Sequence, residues 1–222
     1  MLTSAALQLI ALVTMTLDHI AFYFLDGFEP LRAIGRIAMP LFTFMLVEGY
    51  FHTSSKVKYF GRILIAAILA ELPLWLFHSV FDYKLLINIL FGFLLGFILI
   101  AMIDRSRLFL VLSPVVILLA QVLGIDYGGG LIILVLGFFL ARKLFEKQKI
   151  AKMAIQALSL VAAIAFFLLF SSFTLEWWSL LALIPIWLYN GKKGKRLPRY
   201  FMYVYYPAHL MVLFLISLAL PH

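Results

Sequence analysis

Asp18 and His19 are adjacent, and they sit where an apolar stretch should continue without interruption. A carboxylate and an imidazole are standard parts of an acid–base site, and imidazole near neutral pH can take a proton from an attacking nucleophile. Neighbours on a helix point about 100° apart, so the two do not easily bond each other and each needs a partner elsewhere. Arg36 lies at comparable depth in the next apolar stretch, which predicts an Asp18–Arg36 ion pair. Such a pair either serves a site or only fixes two helices together. His19 then remains as a base, or as a histidine hydrogen-bonded to a backbone carbonyl; from the residue type alone the second arrangement is the commoner.

Glu48 and His52 stand at i, i+4 and share a helix face. They read as a carboxylate orienting an imidazole, or as a solvated helix end with His52 near the C-terminal dipole. Arg62 and Glu71 are out of phase and face different neighbours. Arg62 has the length to reach the interface, whereas Glu71, just before Leu72 and Pro73, lies deeper and needs a partner. Asn88 and His209 complete the set, and His78 and His222 receive no role. The chain shows no HxxxH or HExxH spacing, so no metal is expected. Glycine-rich phosphate loops and a GxSxG turn are also missing, and with no cysteine in the chain there is no disulfide or thiolate chemistry.

These groups are carried by a very apolar chain. Of its 222 residues, 65% are hydrophobic and 13% charged, and mean hydropathy is +1.10. A soluble domain has near half apolar and about a quarter charged residues, so lipid must be the solvent here. The expected fold is all-α: a polytopic transmembrane bundle of about nine spans, with 1–222 forming a single domain. Nine segments approach the roughly 20 residues that cross a bilayer. They run at about 5–25, 33–51, 61–81, 85–103, 108–124, 129–144, 151–171, 175–190 and 202–220. The sixth and eighth are short enough to be partly re-entrant. The first lacks a basic start and a cleavage pattern, and reads as a retained span rather than a secretory signal.

The net charge of +8 resembles a nucleic-acid signal, but basic cytoplasmic loops explain it better and no nucleic acid is expected. With nine spans, all but three of the 18 Lys and Arg fall on one side. The exceptions are Arg32, Arg36 and Lys84. Positive residues resist translocation, which places the N-terminus inside and the C-terminus outside. Gly92 and Gly96 form a GxxxG pair that admits a close helix neighbour, and Pro40, Pro73, Pro114, Pro185 and Pro207 open room by kinking. A charge inside a bilayer must face the bundle interior. Most such groups lie in spans 1–4, so one site is expected there, closed by span 9.

The order of these residues resembles the TraX family, membrane proteins linked to N-terminal acetylation of conjugative pilin. The match begins with Thr14-Met15-Thr16-Leu17 before Asp18-His19. It continues through Ile34-Gly35-Arg36-Ile37-Ala38-Met39-Pro40-Leu41-Phe42 and Val47-Glu48-Gly49-Tyr50-Phe51-His52-Thr53. Tyr59, Arg62, Glu71-Leu72-Pro73 and Asn88 follow in order, and Tyr203-Val204-Tyr205-Tyr206-Pro207-Ala208-His209-Leu210 completes it. The GRxxxP, EGxxHT and YPxHL elements are specific in combination.

The resemblance implies acyl transfer from acetyl-CoA to an amine, in the bacterial inner membrane. It also suggests distant kinship with larger membrane acyltransferases. Under that expectation His19 is the base, with His52 or His209 second, while Asp18, Glu48 and Glu71 orient imidazoles or bind the amine. Arg36 and Asn88 donate to the oxyanion or hold Asp18, and Tyr206 adds a hydroxyl. Lys56, Lys58 and Arg62 receive the coenzyme's phosphates. Two other readings keep the same residues: a small transporter or flippase, and a non-catalytic assembly factor.

Overall fold

The computed structural model describes residues 1–26, 28–82, 86–171, 174–195, 198 and 200–219. Lys84 and His222, named above, lie outside them, as do Arg196 and Arg199 of the last basic loop. The described chain is helical throughout, with two isolated β-bridges and no strand among the described residues. Helix α1 (Ser4–Phe24) starts on Thr3, whose hydroxyl accepts the Ala6 N–H at 3.3 Å. The second segment is split into α2 (Glu29–Gly35) and α3 (Ala38–His52) by a turn at Arg36 and Ile37. Pro30 and Pro40 each sit in a first helical turn, where the missing N–H donor costs no intrahelical hydrogen bond.

Helix α4 (Lys56–Phe81) begins at Ser55, which caps the Lys58 N–H, and runs through Pro73. Helix α5 (Ile89–Arg105) begins at Asn88, whose side-chain oxygen accepts the Leu90 N–H at 3.0 Å. The fifth apolar segment is a 3-10 turn over Arg107–Leu112 that passes into α6 (Ser113–Val122). Helices α7 (Gly128–Phe145) and α8 (Lys149–Leu168) follow. The eighth segment is again mixed: 3-10 over Thr174–Ala182, then α9 (Leu183–Trp187). Helix α10 (Phe201–Ala219) contains Pro207.

Among the described residues, six stretches are long and apolar enough to cross a bilayer: Ser4–Phe24, Glu29–His52, Lys56–Phe81, Gly128–Phe145, Lys149–Leu168 and Phe201–Ala219. The protein is therefore a multi-pass membrane protein. The sixth expected segment is not a fragment. It is α7, which is largely buried among its neighbours. The fifth and eighth do depart from the expected α-helix, each becoming α only at the turn that holds Pro114 or Pro185. Their 3-10 portions rise about 2.0 Å per residue against 1.5 Å in α-helix, so these short segments still reach roughly 25 Å.

Helix α7 is the axle. A Cβ at Gly92 or Gly96 would run into Leu131 or Val135, so the GxxxG pair lets α5 lie against α7. A Cβ at Gly137 would overlap Ser159, which brings α8 equally close on the opposite flank. Leu131, Ile132, Leu134, Val135 and Phe139 are wholly buried as a result. The bundle has two distinguishable ends. At one, Leu2 pairs with Tyr189, and Lys56 and Lys143 both reach Asp104 at 2.9 Å. At the other, Ile87 pairs with Ile125 in the turn before α7.

Candidate functional site

Gly35 is the last residue of α2, and a Cβ there would overlap the Asp18 side chain. The missing side chain lets α2 press its end onto α1, and the turn that follows aims Arg36 at the same carboxylate. Arg36 forms an ion pair with Asp18 through Nη2. Its Nη1 donates to Glu176 Oε1 at 2.8 Å and to the Tyr127 hydroxyl at 2.8 Å, and its Nε donates to the Arg32 carbonyl at 3.3 Å. Arg32 adds a second cation 3.3 Å from Asp18. Tyr127 reaches Arg36 from a backbone with φ of +62°, a conformation that costs a bulky residue energy and is held by its surroundings.

His19 points away from that cluster. Its Nδ1 lies 2.8 Å from His209 Nε2, and His209 Nδ1 lies 3.0 Å from the carbonyl oxygen of Tyr205. A carbonyl only accepts, so hydrogen bonding assigns the proton of His209 to Nδ1. A neutral His209 then accepts at Nε2, and His19 donates through Nδ1–H. The basic lone pair of His19 is left on Nε2, which has no hydrogen-bond partner among the described residues. Thr16 and Tyr205 join the same two helices by a 2.7 Å hydroxyl contact.

Both groups open on one cavity of about 910 Å³, bounded by α1, α3, α4, α10 and the turn before α7. Asp18, His19, Arg36, Glu48, His52, Arg62, Asn88 and Tyr206 all line it. It extends from the Asp18 region to His52, Gly191 and Lys193 at the end that carries the basic loops. Glu48 is 3.1 Å from Arg142 and 3.8 Å from His52, whose Nδ1 bonds the Glu48 backbone oxygen at 2.8 Å. The His52 side chain is 49% exposed. Its geometry is that of a helix-end imidazole facing the cavity mouth. Arg62 lies over the rings of Tyr59 and Tyr203, each centroid 5.6 Å away, and its Nε is buried without a hydrogen-bond partner among the described residues. A Cβ at Gly49 would collide with Tyr59, so the glycine of EGxxHT seats that ring.

Other expected members are placed elsewhere. Lys56 is held by Asp104 and by the Tyr50 hydroxyl at 2.6 Å, Lys58 is exposed, and neither lines the cavity. Glu71 accepts both Asn88 nitrogens, Nδ2 at 2.6 Å and the backbone N–H at 3.2 Å. Asn88 Nδ2 also donates to the Ala67 carbonyl at 2.9 Å. Both amide hydrogens of Asn88 are thus committed, and the pair ties α4 to the start of α5. No cluster of three metal-ligating residues occurs among the described residues.

The site is not confined to spans 1–4 and 9 as the sequence suggested. Glu176 from the eighth segment, only 2% exposed, neutralises Arg36, and Tyr127 and Asp126 enter from the turn before α7. The available signals were weak: one carboxylate heading a Trp-rich apolar segment, and an Asp-Tyr pair before three glycines.

The architecture and this cavity define a polytopic helical membrane protein with a cavity lined by ionisable side chains and reaching one end of the bundle. A family model described as TraX protein matches residues 3–217, and the chain belongs to that family. It is similar to a probable fimbrial assembly protein, FimC of serogroup H1, from Dichelobacter nodosus. That match is 34% identical and covers 93% of this chain and 92% of the relative. It is also 35% identical to the uncharacterized protein RP591 of Rickettsia prowazekii (strain Madrid E), over 39% of this chain and 33% of that one. No solved structure matches.

Proposed function

We propose that the protein is a membrane-embedded acyltransferase that moves an acetyl group from acetyl-CoA to an amine. The observation that carries this reading is the His19–His209 pair, which leaves a basic nitrogen beside a cavity large enough for a small-molecule site. The nine apolar segments are read as nine crossings, with the N-terminus in the cytoplasm of a bacterium and the C-terminus outside the inner membrane. Under that topology the cavity mouth at His52 and Lys193 faces the compartment where acetyl-CoA is made.

In the proposed reaction the amine arrives as an ammonium and loses one proton to cavity water. Its nitrogen then attacks the thioester carbonyl carbon as His19 Nε2 accepts the second proton. The C–N bond forms, the C–S bond breaks, and the imidazolium returns that proton to the coenzyme sulfur. His209 holds His19 in the required tautomer. Tyr206 lines the cavity as a hydroxyl donor, and Arg62 with Lys193 supplies positive charge for the coenzyme's phosphates. Asp18 and Arg36 fix the wall against which His19 is presented.

Incubation of purified protein with labelled acetyl-CoA tests the proposal. Self-acetylation, amine-dependent transfer or thioester hydrolysis that is lost in His19→Gln supports it; equal turnover in that variant removes it. The name of the Dichelobacter relative favours a second reading, a non-catalytic factor in fimbrial assembly. On that reading assembly persists when His19 is replaced.

A further inference from the structure

Asp126 belongs neither to the ion-pair cluster nor to the histidine pair, yet it lines the cavity. Its backbone is locked: its N–H donates to the Ile87 carbonyl at 2.9 Å, and Tyr127, next in sequence, is anchored on Arg36. The charges around it are already matched. Asp18 and Glu176 are two carboxylates, and Arg32 and Arg36 are the two guanidiniums that meet them. Asp126 forms no ion pair among the described residues and adds a negative charge to a half-buried wall. An unbalanced carboxylate in such a place is costly unless a cation joins it.

The surrounding wall is aromatic. Tyr23 stacks on Phe77 with ring centroids 3.9 Å apart, and both line the cavity along with Phe22 and Tyr206. A ring face attracts ammonium and also accepts an apolar body. We infer that Asp126 is the counter-ion of a cationic subsite, which takes the ammonium group of a primary amine whose remainder is apolar. The inference rests on the acetyl-transfer reading and deepens it, by assigning the acceptor's binding group and its class.

The test needs no turnover, so it stands apart from the enzyme assay. Binding of labelled phenethylamine to detergent-purified protein is compared with binding of its neutral N-acetyl derivative, in wild type and in Asp126→Asn. The wild type is expected to hold the amine at least tenfold more tightly than the derivative, and Asp126→Asn to erase that preference. Carbodiimide coupling of the same amine to the wild-type chain, mapped by mass spectrometry, covers the case of a poorly folding variant. Asp126 should be modified, and excess N-acetyl derivative should not protect it. Equal binding of amine and derivative by wild type, an unchanged preference in Asp126→Asn, or coupling that spares Asp126 overturns the inference, whether or not acetyl transfer is observed.

Discussion

His19 and His209, 190 residues apart, share one hydrogen bond of 2.8 Å, and the Tyr205 carbonyl beneath His209 decides which way its proton points. His209 is therefore a positioning residue for His19. His19→Gln should reduce transfer to background, because general-base catalysis is worth about 10²–10⁴-fold. His209→Ala leaves the Nδ1–H of His19 without an acceptor and should lower kcat by roughly tenfold to a hundredfold, with little change in KM. His209→Gln, which keeps an acceptor oxygen, should recover part of that loss. Steady-state kinetics on the three variants, with thermal melts as the folding control, check this; equal kcat for the Ala and Gln variants would contradict a positioning role.

Two glycines separate close packing from backbone freedom. Gly35→Ala forces a methyl into the Asp18 side chain and should cost about 1–3 kcal/mol as overpacking. Gly61→Ala meets nothing within 4 Å inside α4 and should gain roughly 0.5–1 kcal/mol from helix propensity. Thermal unfolding in detergent should move in opposite directions for the two.

The basic residues at the cavity end divide into two kinds. Arg62→Ala should raise the KM for acetyl-CoA by about tenfold or more, because it removes a charged donor facing the cavity. Lys56→Ala should leave KM within about twofold and instead lower stability slightly, since it removes one donor from Asp104 and Tyr50, which keep each other and Lys143 as partners. Kinetics against coenzyme concentration and melts of both variants check the division.

Burial pushes the Asp126 carboxyl up to about 6, and the charges of Glu176 and Asp18 add to the effect against the opposing pull of Arg36. An acid whose folded value lies above its unfolded one favours the native state at low pH. The benefit fades as pH rises from about 4 to about 6 and is gone above that. Asp126→Asn should therefore melt higher than wild type at pH 7.5, with the difference shrinking by pH 4. A difference that is constant across this range would show that the group carries no such strain.

The apolar runs of the sequence foretold where helical segments form, because the cost of leaving backbone groups unpaired in lipid makes each run helical, though the second is split between α2 and α3. They did not foretell the 3-10 stretches at Arg107–Leu112 and Thr174–Ala182, where the chain stretches further per residue than an α-helix. The Asp18–Arg36 pairing was legible from depth and charge. The joining of His19 to His209 was not, since a histidine on one helix says nothing about the azimuth of another.

By itself the sequence determined a lipid-solvated helical bundle, the segregation of its basic loops to one side, and the handful of ionisable residues too costly to face lipid. Tertiary structure alone decided which of them meet. It sent Lys56 to Asp104 and Asn88 to Glu71, joined Glu176 to Arg36, and brought Tyr127 and Asp126 to the cavity wall. Periodicity and hydropathy are local, one-dimensional quantities. Pairing across a bundle depends on how helices rotate and how closely they approach, and at Gly35, Gly92 and Gly137 that approach is set by side chains that are absent.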